Sequence, residues 1–192
     1  ERYNVMPAID RWVILRALER LRDAPGGPAA SPVLAVNLSG NSLSDQSFLE
    51  FVVEHAGAPD VARRLCFEIT ETAAVTNWSN ALYFMKELQQ RGCRFALDDF
   101  GSGLSSFMYL RTLPVDFLKI DGQFVAQVAV NPVDRNMVEA ICRIGRSLGI
   151  CTVAECVESG PVLEELKRIG VDFVQGYHLA RQRPIAELLQ GA

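Results

Sequence analysis

Apolar positions change their period repeatedly along the chain, and each change marks an element. Near the start, Ile9, Val13, Ala17 and Leu21 recur at helical spacing with Trp12 beside them. Pro7 suits a first turn, so the chain is predicted to open on a helix. Residues 24–32, rich in Ala, Gly and Pro, read as a loop. After them, short apolar or β-branched runs alternate with amphipathic stretches. The runs 33–38, Leu65–Thr70, 94–98, Phe117–Ile120, Cys151–Ala154 and 173–176 are predicted strands. The stretches 45–56, 79–91, a short 105–112, 133–148 and 161–169 are predicted helices, with 184–189 closing the chain. Gly92, Gly149 and Gly170 each follow a helix, where a left-handed residue ends it.

Strands alternating with helices imply parallel β/α architecture. The strands are apolar on both faces, as in a sheet covered by helices. No G-x-G-x-x-G follows a strand, so the dinucleotide-binding form of an open sheet has no support. The expected class is α/β, a (βα)8 TIM-like barrel. Such a barrel has eight units and typically ~250 residues. Six strands are countable and the chain begins on a helix, so about two N-terminal strands are expected before residue 1. Residues 1–192 read as one N-terminally incomplete domain.

Composition narrows the function classes. Of 192 residues, 49% are hydrophobic and 22% charged, enough for an ordinary core. The net charge of −4 gives no broad basic surface for DNA. An anionic ligand would need a metal ion or local Lys/Arg to offset the repulsion. Cys66, Cys93, Cys142, Cys151 and Cys156 are odd in number and form no C-x-x-C, which predicts buried free thiols in a cytoplasmic protein. No run approaches the ~18 apolar residues of a membrane span, and no signal peptide opens the chain.

Polar residues gather at the strand ends. In order, these ends carry Asn37-Leu38-Ser39, Glu68-Ile69-Thr70-Glu71, Asp98-Asp99-Phe100-Gly101, Lys119-Ile120-Asp121, Glu155-Cys156-Val157-Glu158 and Gln175-Gly176-Tyr177. In a β/α barrel the C-terminal strand ends meet on the face that carries the active site. A lone Asp or Asn there is commonly a helix cap, but six polar ends together predict a pocket. Asn37, Glu68, Asp98 and Asp99, with Glu155, are hard oxygen donors that suit Mg²⁺ or Mn²⁺. His55 and His178 stand alone, which argues against zinc. Adjacent Asp98 and Asp99 would face opposite ways in a continuing strand. If the strand ends there, both reach one rim. Two ions roughly 3.5–4 Å apart are the usual clamp for phosphodiester hydrolysis.

Lys119 has three readings: a Schiff-base amine, an ammonium that orients water or stabilises phosphate, or a structural ion pair with Asp98 or Glu155. The Gly- and Ser-rich turn at 99–106 suits either phosphate approach or a plain βα turn. Phe107, Tyr109, Trp78 and Phe84 are expected to pack.

These motifs, N-L-S, E-I-T-E, D-D-F-G-S-G, L-P-V-D-F-L-K-I-D, A-E-C-V-E and Q-G-Y, resemble in order and spacing the EAL domain family over essentially the whole chain. The resemblance implies a (βα) barrel that hydrolyses cyclic di-GMP to linear pGpG with Mg²⁺ or Mn²⁺. It further implies metal ligands at Asn37, Glu68, Asp98 and Asp99, with a water-positioning residue at Lys119. Glu155 resembles the general base or water-mediated ligand. Glu158 and Gln175 resemble substrate or water contacts, and Glu71 the anchor of the 99–105 loop. A homodimer is implied, as is fusion to sensor or GGDEF-type domains. A cytoplasmic location is also compatible with the cytoplasmic part of a larger membrane protein.

The chain departs from the pattern in several places. The E-A-L signature itself is absent; its glutamate belongs on a strand before residue 1. Cys156 stands where A-E-G-V-E has glycine, a substitution that costs about 1 kcal/mol or more if φ is positive there. Leu104 replaces a common aromatic residue and Gln182 a common proline. The alternative functions are a catalytically silent cyclic di-GMP receptor and a lyase using Lys119.

Overall fold

The computed structural model describes residues 5–23, 33–57, 59–102, 107–185 and 187. The predicted loop 24–32 and half of the closing helix 184–189 lie outside them, as does part of 105–112. The chain forms two compact units, Glu1–Phe95 with Arg183–Ala192, and Ala96–Gln182.

The first unit runs α1 (Met6–Asp23), β1 (Leu34–Asn37), α2 (Gly40–Leu43), α3 (Gln46–Ala56), α4 (Pro59–Ala62), β2 (Leu65–Thr70), α5 (Glu71–Thr76) and α6 (Trp78–Gln89). β1 and β2 are parallel, with Asn37 in register with Glu68. Phe48, Phe67, Phe84 and Phe95 fill the core, their ring centroids 5.6–6.3 Å apart in contacting pairs. Each such ring buries some 150–250 Å², so this cluster dominates the unit's packing. Asp45 caps α3, accepting hydrogen bonds from the Ser47 and Phe48 amides.

The helix expected at the start is present, but its buried face is rotated. The buried positions are Pro7, Asp10, Ile14, Ala17, Leu18 and Leu21, whereas Ile9 and Trp12 are exposed. The reason is Asp10, a carboxylate in the middle of the inward stripe, which pattern reading passes over. Trp12, Val13 and Ala17 instead line, with Leu34–Val36 of β1 and Ile185, a cavity of about 350 Å³.

β3 (Arg94–Phe100) begins in the first unit and ends in the second. Then follow α7 (Phe107–Leu110), β4 (Phe117–Ile120), α8 (Gly122–Ala126), α9 (Pro132–Leu148), β5 (Cys151–Ala154), α10 (Gly160–Ile169) and β6 (Phe173–Val174). In the second unit, β3 pairs with β4, β4 with β5 and β5 with β6, all parallel. Leu97, Leu118, Ile120 and Ala154 of the strands are buried, as are Val138 and Ile141 of α9 and Leu166 of α10. Asp172 ties the start of β6 to β5, accepting from the Thr152 amide at 2.7 Å and its hydroxyl at 2.8 Å.

All six predicted strands exist, and the α/β class with parallel strands is as expected. The glycines predicted to end helices have φ of 100° at Gly92, 72° at Gly149 and 84° at Gly170. α2, α4, α5 and α8 were not predicted; each has four to six residues, too short for a periodic signal. Phe84 is buried as expected, but Tyr109 is exposed and Trp78 only half-buried. The Phe107 side chain lies outside the described residues. The five cysteines are free; Cys66, Cys93 and Cys142 are buried as expected, whereas Cys151 at the start of β5 is half-buried and Cys156 sits exposed in a loop. Among the described residues no helix is long and apolar enough to cross a membrane.

Candidate active site

The second unit brings four of the predicted site residues together. Lys119, third residue of β4, is 4% exposed. Its Nζ lies 2.9 Å from Asp98 Oδ1 and 2.9 Å from Glu155 Oε1. Asp98 comes from β3, and Glu155 follows the last residue of β5. Three neighbouring parallel strands thus hold one ammonium between two carboxylates.

Asp99 joins them through a backbone irregularity. The β3–β4 register runs Leu97↔Leu118 and then Phe100↔Ile120, so Asp98 and Asp99 together stand opposite Lys119. This is a β-bulge, with Asp99 in the left-handed region at φ 54°. Asp tolerates that region better than most side chains. The expectation was that both carboxylates reach one rim if the strand stops at Asp98. The strand instead continues to Phe100, and the bulge resolves the alternation. One ligand oxygen or more from each of Asp98, Asp99 and Glu155 lies within 4.8 Å of the others, an arrangement that could hold a metal ion.

The donor set fits a hard divalent cation. Every donor is a carboxylate oxygen, as Mg²⁺, Mn²⁺ or Ca²⁺ prefers. Three carboxylates around one ammonium also leave negative charge uncompensated. Desolvation, then repulsion from Asp98 and Asp121, pushes the Asp99 carboxyl above its ordinary range, and Lys119 only partly opposes this. Among the described residues, the contacts to Asp98 from Lys119 and from the Asp99 amide at 3.1 Å both use Oδ1. The arrangement also weighs against a Schiff-base role. An ammonium ion-paired to two carboxylates is not a free amine nucleophile.

The loops after β5 and β6 are built against one another. The Val157 amide donates to Gln175 O at 3.0 Å, and the His178 amide to Val157 O at 3.0 Å. A β-carbon on Gly176 would lie 2.2 Å from Val157 O, so only glycine fits this crossing. It leaves Glu158 and Gln175 exposed on the two loops.

Cys156 has φ 53°, the left-handed conformation that its missing glycine would adopt freely. The strain anticipated for this substitution is therefore present. The thiol packs on Gly122 of the turn after β4, where a β-carbon would lie 2.7 Å from Cys156 Sγ. Sequence reading had not singled out Gly122. Its signal is only that a glycine follows K-I-D.

In the first unit, Asn37 ends β1 and is exposed, and Glu68 beside it on β2 is half-buried. Thr70 caps α5. Glu71, in the first turn of α5, is buried. Residues 103–106 of the 99–106 turn lie outside the described residues.

A family profile described as EAL domain matches residues 1–182. The cyclic di-GMP phosphodiesterase PdeB of Shewanella oneidensis is 41% identical over 187 residues, covering 97% of this chain but 22% of PdeB. Among solved structures, the Pseudomonas aeruginosa MucR phosphodiesterase in complex with c-di-GMP superimposes with a TM-score of 0.82 at 32% identity, over 94% of this chain and 74% of that one. The EAL domain of Mycobacterium smegmatis DcpA gives 0.85 at 30% identity, over 98% of this chain and 86% of that one. The alternating parallel strands and helices therefore follow the partial TIM-like barrel of these structures. The chain spans less than a quarter of PdeB's length.

Proposed function

The chain belongs to the EAL domain family, and from that premise we propose that the protein containing it is a divalent-metal-dependent phosphodiesterase that hydrolyses cyclic di-GMP to linear pGpG. The observation that carries the reading is the Asp98–Lys119–Glu155 array with Asp99 brought alongside by the bulge. A cation placed there, Mg²⁺ or Mn²⁺ and as a pair in this reading, supplies charge neutralisation and water activation. Asp98 and Asp99 would hold it. By their match to the family motifs, Asn37 and Glu68 join the oxygen donors. A preceding segment of the polypeptide would supply the E-A-L glutamate.

The chain's own groups divide the remaining work. Water adds to phosphorus, the P–O3′ bond breaks, and the released 3′-oxygen takes up a proton. Glu155 accepts the proton of the attacking water. Lys119, fixed by two carboxylates, orients that water and favours the charge that develops on the phosphoryl oxygens. Glu158 and Gln175, on loops braced by the Gly176 crossing, contact the nucleotide. Glu71 anchors the loop that follows Asp99. The reading extends to a cytoplasmic homodimer. It also extends to fusion with a cyclase or sensor domain, which is supported by the relative MucR, a bifunctional diguanylate cyclase and phosphodiesterase 33% identical to this chain.

The test is binding and turnover on one preparation of the protein at its natural length. Cyclic di-GMP that is bound and converted to pGpG in Mg²⁺ or Mn²⁺ supports the enzyme. Micromolar binding without product would assign the protein to the silent-receptor class instead. No binding at all would sink both.

A further inference from the structure

Asp10 is a full carboxylate, 4% exposed, in the inward stripe of α1. Its Oδ2 accepts three hydrogen bonds: from the Ser39 amide at 3.0 Å, the Ser39 hydroxyl at 2.8 Å and the Ser42 hydroxyl at 2.6 Å. Among the described residues no cation pairs with it. An apolar residue here would avoid the cost of burying a charge, so the carboxylate calls for a reason beyond packing.

The donors indicate one. Ser39 occupies the N-cap position of α2 but makes no side-chain cap bond. Its hydroxyl is turned to Asp10 instead, giving up the usual cap stabilisation. Ser39 belongs to the turn that follows β1, two residues beyond Asn37, and Ser42 to α2, which that turn enters. On the other side, the Leu38 amide donates to Glu68 O at 2.8 Å, and Asn37 is in register with Glu68. The backbone after Asn37 is therefore held from two directions, by the β2 ladder and by a buried charge on α1.

We propose that Asp10 is a positioning residue: by clamping the Leu38–Ser39 turn it fixes the Asn37 side chain beside Glu68, and so sets the affinity of that strand end for a divalent cation. This rests on the reading above that Asn37 and Glu68 are metal donors. Charge-assisted bonds are shorter and stronger than neutral ones. A carboxylate with three donors therefore holds the turn more tightly than a serine cap alone. Asp10 does not touch the ion or the substrate. Its effect passes through the backbone.

The experiment is a calorimetric titration of the metal-free protein at its natural length with Mn²⁺ alone, at a temperature well below unfolding. Asp10→Asn keeps the shape and removes the charge, Asn37→Ala removes the donor itself, and Leu18→Ala destabilises the same helix face without approaching the turn. Partners one step removed from a metal typically govern roughly 10–100-fold in affinity. Asp10→Asn is expected to weaken Mn²⁺ about 10-fold, in the direction of Asn37→Ala, while Leu18→Ala binds as the parent does. If Asn37→Ala weakens binding and Asp10→Asn does not, the positioning role is wrong and the metal reading survives. If Asn37→Ala has no effect, the metal reading of that strand end fails and the positioning role falls with it. Equal losses in Asp10→Asn and Leu18→Ala would show a merely structural carboxylate. Should Asp10→Asn fail to fold, Ser39→Ala removes the hydroxyl arm of the clamp and is read against the same controls.

Discussion

Asp10 in the first unit and Asp98 in the second are both buried carboxylates, and their surroundings differ in kind. Among the described residues Asp10 meets neutral donors alone, two hydroxyls and an amide from Ser39 and Ser42, all on Oδ2. Asp98 faces an ammonium, a second aspartate in a left-handed bulge and a glutamate. The first arrangement is one carboxylate among neutral donors. The second carries more negative than positive charge and keeps strained backbone at its centre. Strain and unbalanced charge persist where the surrounding structure over-determines them, which is characteristic of functional sites.

The largest effect should come from opening the second arrangement at Asp98. Asp98→Asn is expected to lower kcat/KM for cyclic di-GMP by roughly 10³-fold, since it removes both a metal donor and the partner of Lys119. It should also abolish the stabilisation that Mn²⁺ gives the parent, about 2.7 kcal/mol at a hundred times Kd, and with it the rise in Tm. Thermal melts with and without Mn²⁺ read both states. A variant that still gains Tm would show that the ion sits elsewhere.

Lys119→Met comes next. Activity should fall by roughly 10²–10³-fold. The metal-free protein should lose about 3 kcal/mol, because buried Asp98 and half-buried Glu155 are left without their cation. Mn²⁺ should recover part of that stability but none of the rate, a split that a purely structural ion pair would not show.

A smaller effect is expected at the Cys156–Gly122 contact. Cys156→Gly relieves a left-handed non-glycine residue and should stabilise the protein by about 1 kcal/mol. Gly122→Ala pushes a methyl into the thiol and should destabilise alone, yet be tolerated with Cys156→Gly. Chemical denaturation of the four proteins in this cycle measures the coupling. Additive losses would mean that the two turns are independent.

The smallest effect tests a closed carboxylate at the surface. Asp45 accepts from the Ser47 hydroxyl and the Ser47 and Phe48 amides and lies 3.4 Å from Arg11. Led by the Ser47 hydroxyl bond, these interactions hold its carboxyl below the ordinary range. A folded pKa below the unfolded one means stability that is present above the unfolded value, about 3.9, and lost as pH falls through the folded one. Asp45→Ala should therefore cost about 0.5 kcal/mol at neutral pH, and the difference from the parent should close in acid. Mn²⁺ affinity should not change.

The two arrangements were not equally legible in the sequence. Strand ends rich in carboxylates, and the K-I-D lysine, stand out because polar residues interrupt apolar runs at regular intervals. The bulge does not, since Asp98-Asp99 reads equally well as a strand end, and only the register against β4 shows two residues opposing one. The first helix misleads for the opposite reason. A charged residue in an inward stripe breaks the apolar period, so Ile9 and Val13 suggest a face one position away from Ile14 and Leu18, which are fully buried. Asp10 becomes intelligible only when Ser39 and Ser42, some thirty residues on, are seen to donate to it. The Gly122–Cys156 contact is also non-local, and no spacing rule anticipates it.

The most direct test of the central claim, that the Asp98–Lys119–Glu155 array works as a metal-dependent hydrolytic centre, is to follow pGpG release from cyclic di-GMP in Mn²⁺ and then add a chelator. The account predicts steady release by the parent protein, arrest on chelation, recovery when Mn²⁺ is restored, and release slowed roughly 10³-fold in Asp98→Asn at every Mn²⁺ concentration. Release that continues through chelation, or that proceeds at the parent rate in Asp98→Asn, would contradict it.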